Sequence, residues 1–393
     1  MNTQIKRSLI LILLASGLIV ISFGGGFIFG KSQVICEICP PQDLDFSLFW
    51  EAYHRLKEEF VEPERIQEED IIYGAISGMV ESLDDPYSVF FDPEDTEKFL
   101  EDITGRFEGV GMEIGIRDRN LQVIAPLEGT PAQKAGLMPG DQILKVDGEL
   151  TVELSLDEAV SLIRGPKGTK VTLTIFREGW DMPEDIEVER AVIEVPSLKW
   201  ELIEDNIAYI KIYHFSEKAS FDFTRVAIQI LGSGAQKIIL DLRNNPGGYL
   251  EVARDIAGFF LKRGEIVVIE ASGKEREEYK ARGNAIFLDY PIVVLINEGS
   301  ASGSEILAGA LRDNRGIILI GEDSFGKGSV QRLEKLRGGS SLKITTAEWL
   351  TPKGQSITDV GLEADIKVEM TEEDYKEGRD PQLDKAIETL KNL

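Results

Sequence analysis

Two cysteines, Cys36 and Cys39, and two histidines, His54 and His214, are all that a chain of 393 residues carries of either type. Both cysteines precede the main body, so neither a disulfide framework nor an all-cysteine zinc site can be built there. A local or intermolecular bridge stays open if that end lies in an oxidising compartment. A Ser-His-Asp triad needs an imidazole beside a serine, and neither histidine adjoins a recognisable nucleophile motif. Basic residues are in deficit too, 43 against 69 acidic ones, for a formal net charge of −26. Such a field repels phosphate backbones and anionic headgroups, which excludes nucleic acid as a first choice of partner.

A long hydrophobic run occurs once, at the N-terminus. Lys6 and Arg7 precede 23 uncharged residues, Ser8 to Gly30. At 1.5 Å per residue this makes about 34 Å of helix, enough to cross a bilayer core of about 30 Å. The positive-inside rule keeps the basic flank in the cytoplasm and sends everything after Lys31 across. The run is long for a cleaved signal peptide and no A-x-A-like site closes it. Residues 1–40 therefore read as a cytoplasmic flank, a transmembrane signal-anchor and a short linker.

Residues 41–104 read as a small helical region. Phe46, Phe49, Trp50, Tyr53, Leu56 and Phe60 form one stripe at helical spacing. Ile72, Ala75, Ile76, Met79, Val80 and Leu83 form a second, stopped by Asp84-Asp85-Pro86. The aromatic stripe is a packing face, for the rest of the chain or for a second copy in a homodimer.

From Gly105 to about residue 190 short β-like runs alternate with glycine turns. Leu121–Ala125, Gln142–Val146 and Lys170–Phe176 are expected strands, and Pro131–Ala135 and Ser155–Arg164 expected helical pieces. A glycine turn with free N–H groups, a strand edge and an apolar helix face together suit capture of a peptide C-terminus. Gly109, Val110, Gly111 and Met112 would supply the turn and edge, and Leu156, Val160 and Ile163 the helix face. The order GVGMEIGI, APLEGTPAQKAGLMPGDQILKVDG, SLDEAVSLIRGPKGT closely resembles a PDZ domain. A plain spacer domain is the alternative.

Beyond Val195 strands and helices alternate, which argues for helices packed on an α/β sheet over 191–393, with a closing C-terminal helix. Its centre is Asn297 to Gln331, where an apolar strand feeds a turn holding Ser300, Ser302 and Ser304, then a helix, a strand and a Gly-Lys-Gly loop. Two chemistries compete besides the triad. Gly321 to Gly328 nearly spells a phosphate loop, but Gly328 lacks the magnesium-binding hydroxyl, and Glu322 and Asp323 stand where phosphates would rest. A lysine-activated serine fits better: Ser302 lies at the mouth of a helix, and a strand-helix-strand unit can return Lys327 beside it. That lysine must be neutral; moving its pKa from about 10.4 toward 7.5 needs roughly 4 kcal/mol, hence burial away from carboxylates. Gln331 can hold the amine without charging it. Ser302-Gly303-Ser304-Glu305 also fits a capping box, by which Ser302 would only cap its helix.

NEGSASGSEILAGALRD and GEDSFGKGSVQ, with LDLRNNPGG, SLDDPYS and TPKGQSI, closely resemble the carboxyl-terminal processing peptidases, or tail-specific proteases, from about residue 45 to 370. The resemblance implies Ser302 as nucleophile, Lys327 as general base and Gln331 as the residue positioning the lysine. It implies an oxyanion hole from the N–H of Gly303 and one from the Gly247-Gly248 turn. No metal or organic cofactor is implied. The departures are Gly303 for alanine, Ser324 for threonine and Ala364 for proline.

The expected fold is thus α/β and α+β multidomain: an N-terminal transmembrane helix, a small helical region, a PDZ β-domain with two helices, and an α/β serine-protease core. The expected function is a membrane-anchored serine endopeptidase, on the periplasmic or outer face of a bacterium, that cleaves near the C-terminus of exported or membrane-associated proteins. The PDZ domain binds the free tail and gates activity, with Arg164 reaching a core carboxylate. A PDZ adaptor with an inactive hydrolase-like core is the alternative.

Overall fold

The computed structural model describes residues 16–24 and 44–393, apart from 118, 119, 128 and 178. Cys36, Cys39 and most of the expected anchor lie outside the described residues. Residues 16–24 form a helix, α1, and among the described residues no helix is long and apolar enough to cross a membrane. The chain divides into two compact units, residues 1–72 and 73–393. The first holds α2 (Ser47–Glu59), on which Phe46, Phe49, Trp50 and Tyr53 meet edge to face in succession at 6.2, 5.1 and 6.1 Å; α3 (Glu68–Glu81) includes the boundary.

The second unit opens with β1 (Val89–Phe91), α4 (Pro93–Thr104) and β2 (Arg106–Gly109). A small domain follows: β3 (Met112–Arg117), β4 (Asn120–Pro126), α5 (Pro131–Lys134), β5 (Gln142–Val146), β6 (Glu149–Leu150), α6 (Leu156–Ile163), β7 (Lys170–Phe176) and β8 (Glu184–Glu189). Its sheet runs β3-β4-β5-β7-β8, with β6 on β5. Alternation explains β7, whose Val171, Leu173 and Ile175 point inward and are buried. A reciprocal capping box between Ser155 and Glu158 starts α6. β9 (Ala191–Glu194) then returns to pair with β2, so two strands connect this domain to the rest.

The core continues with β10 (Leu198–Ile203), β11 (Ile207–Ile212), α7 (Ala219–Ser233), β12 (Lys237–Asp241), α8 (Leu250–Ala257), β13 (Ile266–Ser272), β14 (Glu275–Lys280), β15 (Ile292–Ile296), α9 (Gly303–Arg315), β16 (Ile318–Gly321), β17 (Ser329–Lys335), β18 (Ser341–Leu350), β19 (Ile366–Lys367), α10 (Glu372–Glu377) and α11 (Pro381–Lys391). The main sheet runs β10-β11-β12-β15-β16-β19, parallel except for β10 at the edge. Ile238 and Leu240 face the helices α7, α8 and α9, while Ile239 faces α11. A sheet covered on both faces needs continuous apolar strands, which is why every residue of β15 is buried.

Residues 41–104 are not purely helical. β1 joins an antiparallel core sheet by pairing with β18, Val89 opposite Lys343, a run too short to show an alternating pattern. In the same sheet β14, the charged EREEYK, is an edge strand on β13. β17 turns Gln331 into a strand residue opposite Thr345 on β18.

Candidate active site

Two turns meet at the C-terminal ends of neighbouring parallel strands, 242–248 after β12 and 297–302 after β15. Asn297 Oδ1 accepts from Asn244 N–H at 2.8 Å, and Asn297 Nδ2 donates to Asn244 Oδ1 at 2.8 Å. Ser300 donates to Leu242 O and Ser304 to Asn245 O, both at 2.9 Å. The Ser302 hydroxyl makes no such bond to the facing turn. Ser302 has φ +50 and ψ −111, a conformation that costs a non-glycine residue about 1–3 kcal/mol and persists only under surrounding constraint. Gly247 sits directly beneath it: a Cβ there would fall 2.8 Å from Ser302 Cβ and from Gly303 N. Gly247 N–H is occupied by Asn245 Oδ1 at 2.9 Å, whereas no described residue accepts from the N–H of Gly248 or Gly303.

By sequence alone Glu305 is only the partner of a helix cap at Ser302. It is 1% exposed and bridges the serine to the lysine loop. Its Oε2 accepts from Ser302 N–H at 2.8 Å and Lys327 N–H at 3.0 Å; its Oε1 accepts from Gly326 N–H and the Ser324 hydroxyl, each at 2.7 Å. Burial pushes its pKa up against these four donors. The only sequence signal for it was its place three residues after Ser302.

These bonds also end the phosphate-loop alternative. The N–H groups that would cradle phosphate are spent on Glu305, and Asp323 pairs with Lys367 at 2.8 Å. Gly328 is required because a Cβ would lie 2.3 Å from Thr358 N. Burial lowers the Lys327 pKa, opposed by the charge of Glu305, and its Nζ lies 5.8 Å from the centre of the Tyr87 ring. No hydrogen bond joins Ser302 Oγ to Lys327 Nζ, and Gln331 Nε2 donates to Ser329 Oγ at 2.6 Å, not to the amine. His214 is half-buried, with its buried Nε2 unpartnered among the described residues and set against Gly105.

Comparison with known proteins assigns the chain to a family. The profile described as "Peptidase family S41" matches residues 206–368, that of a "PDZ domain" residues 122–177, and that of the "Activating protease CtpB N-terminal domain" residues 40–95. Carboxy-terminal processing protease CtpA of Bacillus subtilis (strain 168) is 37% identical over 94% of this chain and 78% of its own length. The chain belongs to peptidase family S41. The carboxyl-terminal-processing protease of Synechocystis sp. is 39% identical over 83% of this S41 chain and 77% of its own. The photosystem II D1 C-terminal processing protease matches in structure with a TM-score of 0.52 at 29% identity, over 82% of this chain and 87% of that one. A putative S41 protease from Bacteroides fragilis has a TM-score of 0.56 over 80% of this chain and 90% of that one; at 16% identity it is alike in fold alone. This chain is accordingly a serine peptidase of the carboxy-terminal processing group.

The three departures that the resemblance implies have structural counterparts. A methyl on Gly303 would lie 3.2 Å from the Phe215 ring, a tight fit. Ser324 keeps a hydroxyl between Glu305 and Leu362 N–H. Ala364 N–H donates to Asp323 at 3.0 Å, a bond proline could not make. In the PDZ domain Val110 and Ile163 are 2% and 5% exposed and belong to the domain's core, so their side chains do not line an open groove. Met112, Leu156 and Val160 keep exposed surface. Arg164 stacks over Phe107 at 4.5 Å and lies 3.9 Å from Glu101, a carboxylate on α4 and not on the core sheet.

Proposed function

We propose that this S41 peptidase cleaves near the free C-terminus of exported or membrane-associated proteins, with Ser302 as nucleophile and Lys327 as general base. The observation that carries this is Glu305, which holds the N–H groups of both residues on one carboxylate oxygen while the lysine amine is withdrawn from water. Ser302 Oγ attacks the scissile carbonyl, and Lys327 takes the hydroxyl proton and returns it to the leaving amine. Gly303 N–H and Gly248 N–H stabilise the oxyanion, since Gly247 N–H is committed to Asn245. With Ser302 and Lys327 unbonded and Gln331 turned to Ser329, the arrangement described is a resting one. On activation Gln331 swings to the amine.

The PDZ turn at Gly109–Met112 and the α6 face of Leu156 and Val160 receive the substrate tail, and Arg164 against Glu101 and Phe107 couples that occupancy to activity. Residues 8–30 anchor the chain, with the peptidase on the extracytoplasmic side, and the exposed aromatic face of α2 is where a second copy pairs. The test uses the full chain, wild type and Ser302→Ala, with peptides bearing free or amidated C-termini. Fragment release from free-ended peptides by wild type alone is expected. No release by wild type would leave a PDZ adaptor; equal release by Ser302→Ala would reject the nucleophile.

A further inference from the structure

The turn 84–88 brings a side chain to the lysine that neither the serine turn nor the lysine loop supplies. The Asp85 carboxylate accepts from Tyr87 N–H at 3.1 Å and from the Ser88 hydroxyl at 2.6 Å. Ser88 Oγ in turn accepts from Thr345 N–H at 3.0 Å on β18. Thr345 stands opposite Gln331, and the chain leaving the turn becomes β1 on that same β18. The turn is therefore tied by a side-chain relay and a strand to the sheet that leads out of the lysine loop. From this mount the Tyr87 ring lies over Lys327 Nζ at 5.8 Å. No described residue accepts a hydrogen bond from that amine.

We propose that Tyr87 is a positioning residue for the general base: its ring covers the Lys327 amine and excludes water, which keeps the amine uncharged during catalysis. The inference rests on the assignment of Lys327 made above. Two effects of the ring oppose each other. Its face attracts an ammonium and so favours the charged form, but 5.8 Å is near the limit of about 6 Å for that attraction. Exclusion of water disfavours the charged form, and among the described residues no hydrogen bond to the amine offsets it. The surrounding charges are Glu305 on α9, Asp85 on the turn, Asp359 beside the lysine loop and Lys343 on β18. Burial first, then Asp359, Glu305 and Asp85, raise the Tyr87 pKa, so the phenol stays neutral and adds no anion beside the lysine. Lys343, held over Phe91 and Phe99 at 5.3 Å from each, is lowered by burial and by the charge of Lys327. By reciprocity its own charge disfavours an ammonium at Lys327.

The experiment compares the full chain with Tyr87→Phe and Tyr87→Ala, reading kcat/KM against pH for a free-ended peptide. In parallel, on a Ser302→Ala background, the pH dependence of Lys327 reductive methylation by formaldehyde and borohydride is followed by mass spectrometry. Tyr87→Phe is expected to keep the wild-type midpoint. Tyr87→Ala should move the rising limb and the methylation midpoint upward by about one pH unit, a loss of about tenfold below the limb that is recovered above it. If Tyr87→Ala fails to fold, Ser88→Ala takes its place and shifts both midpoints the same way by less. A uniform loss at every pH with the methylation midpoint unmoved, or a shift by Tyr87→Phe equal to that of Tyr87→Ala, overturns the proposal. Failure of the dyad assignment reads differently: Lys327→Ala would then keep its activity whatever Tyr87 does.

Discussion

The serine side and the lysine side of the site are held in different ways. Around Ser302, Asn244, Asn245, Asn297, Ser300 and Ser304 knit two turns together, and the strained Ser302 is left with its hydroxyl uncommitted to the facing turn. Around Lys327 the backbone is anchored to Glu305, but the amine meets a ring and Gln331 is occupied by Ser329. Under the proposed dyad, the difference teaches that the serine turn is preorganised while the lysine amine is adjustable. A peptidase that must spare most exposed tails can be governed at the lysine alone, without rebuilding the turn that holds the serine.

Lys327→Arg gives the sharpest break of that comparison, because a guanidinium cannot deprotonate. Peptide cleavage should vanish while the melting temperature is kept. In the wild type the neutral amine grows as pH rises, so kcat/KM should climb with a midpoint below the ordinary lysine value of about 10.4; a midpoint at that value would contradict the burial of the amine. The same depression makes the unfolded chain bind the extra proton, so this group's contribution to stability grows with rising pH between the folded and ordinary pKa.

Glu305→Ala comes next, since it strands three N–H groups and a hydroxyl at once. A loss of about 3 kcal/mol in urea unfolding and at least about a hundredfold in kcat/KM is expected. Retained activity in a folded variant would make the carboxylate purely architectural. On the serine side Asn245→Ala should cost about 2 kcal/mol and about tenfold in kcat, with the pH midpoint unmoved. A shifted midpoint would show that the two sides are not separable.

Smaller effects lie farther off. Leu156→Asp should weaken binding of a free-ended peptide about tenfold by fluorescence anisotropy while leaving turnover of a short substrate intact. Arg164→Ala removes the stacking over Phe107 as well as the 3.9 Å pair with Glu101, and should cost about 1 kcal/mol of stability. Its expected signature is loss of the dependence of cleavage on PDZ occupancy; unchanged dependence would remove Arg164 from the coupling.

Much of the fold was legible in local pattern. Runs such as Ile292–Ile296 and alternation such as Lys170–Phe176 name their strands because each buries two faces or one. Two missed elements differ in cause: Val89–Phe91 is a strand only because the remote β18 lies beside it, whereas EREEYK pairs with the adjacent hairpin strand β13 but is an exposed, charged edge with no apolar alternation to mark it. The site divides likewise. Ser302 and Lys327 came from motif resemblance, whereas Glu305 resembled an ordinary helix cap and Tyr87 one residue of a polar turn.

By itself the sequence determined the scarcity of histidine and cysteine, the acidic charge, the order of the domains and the motifs that align with a lysine-assisted serine. Those properties reside in residue type and spacing, which survive without coordinates. Only the tertiary structure decided that the Ser300 and Ser304 hydroxyls donate to the facing turn and the Ser302 hydroxyl does not, that Gly247 N–H is taken and Gly248 N–H is not, and that a tyrosine from far upstream lies over the lysine. A hydrogen-bond partner or the exclusion of water belongs to whatever the fold brings within a few ångströms, and no local pattern encodes that neighbour.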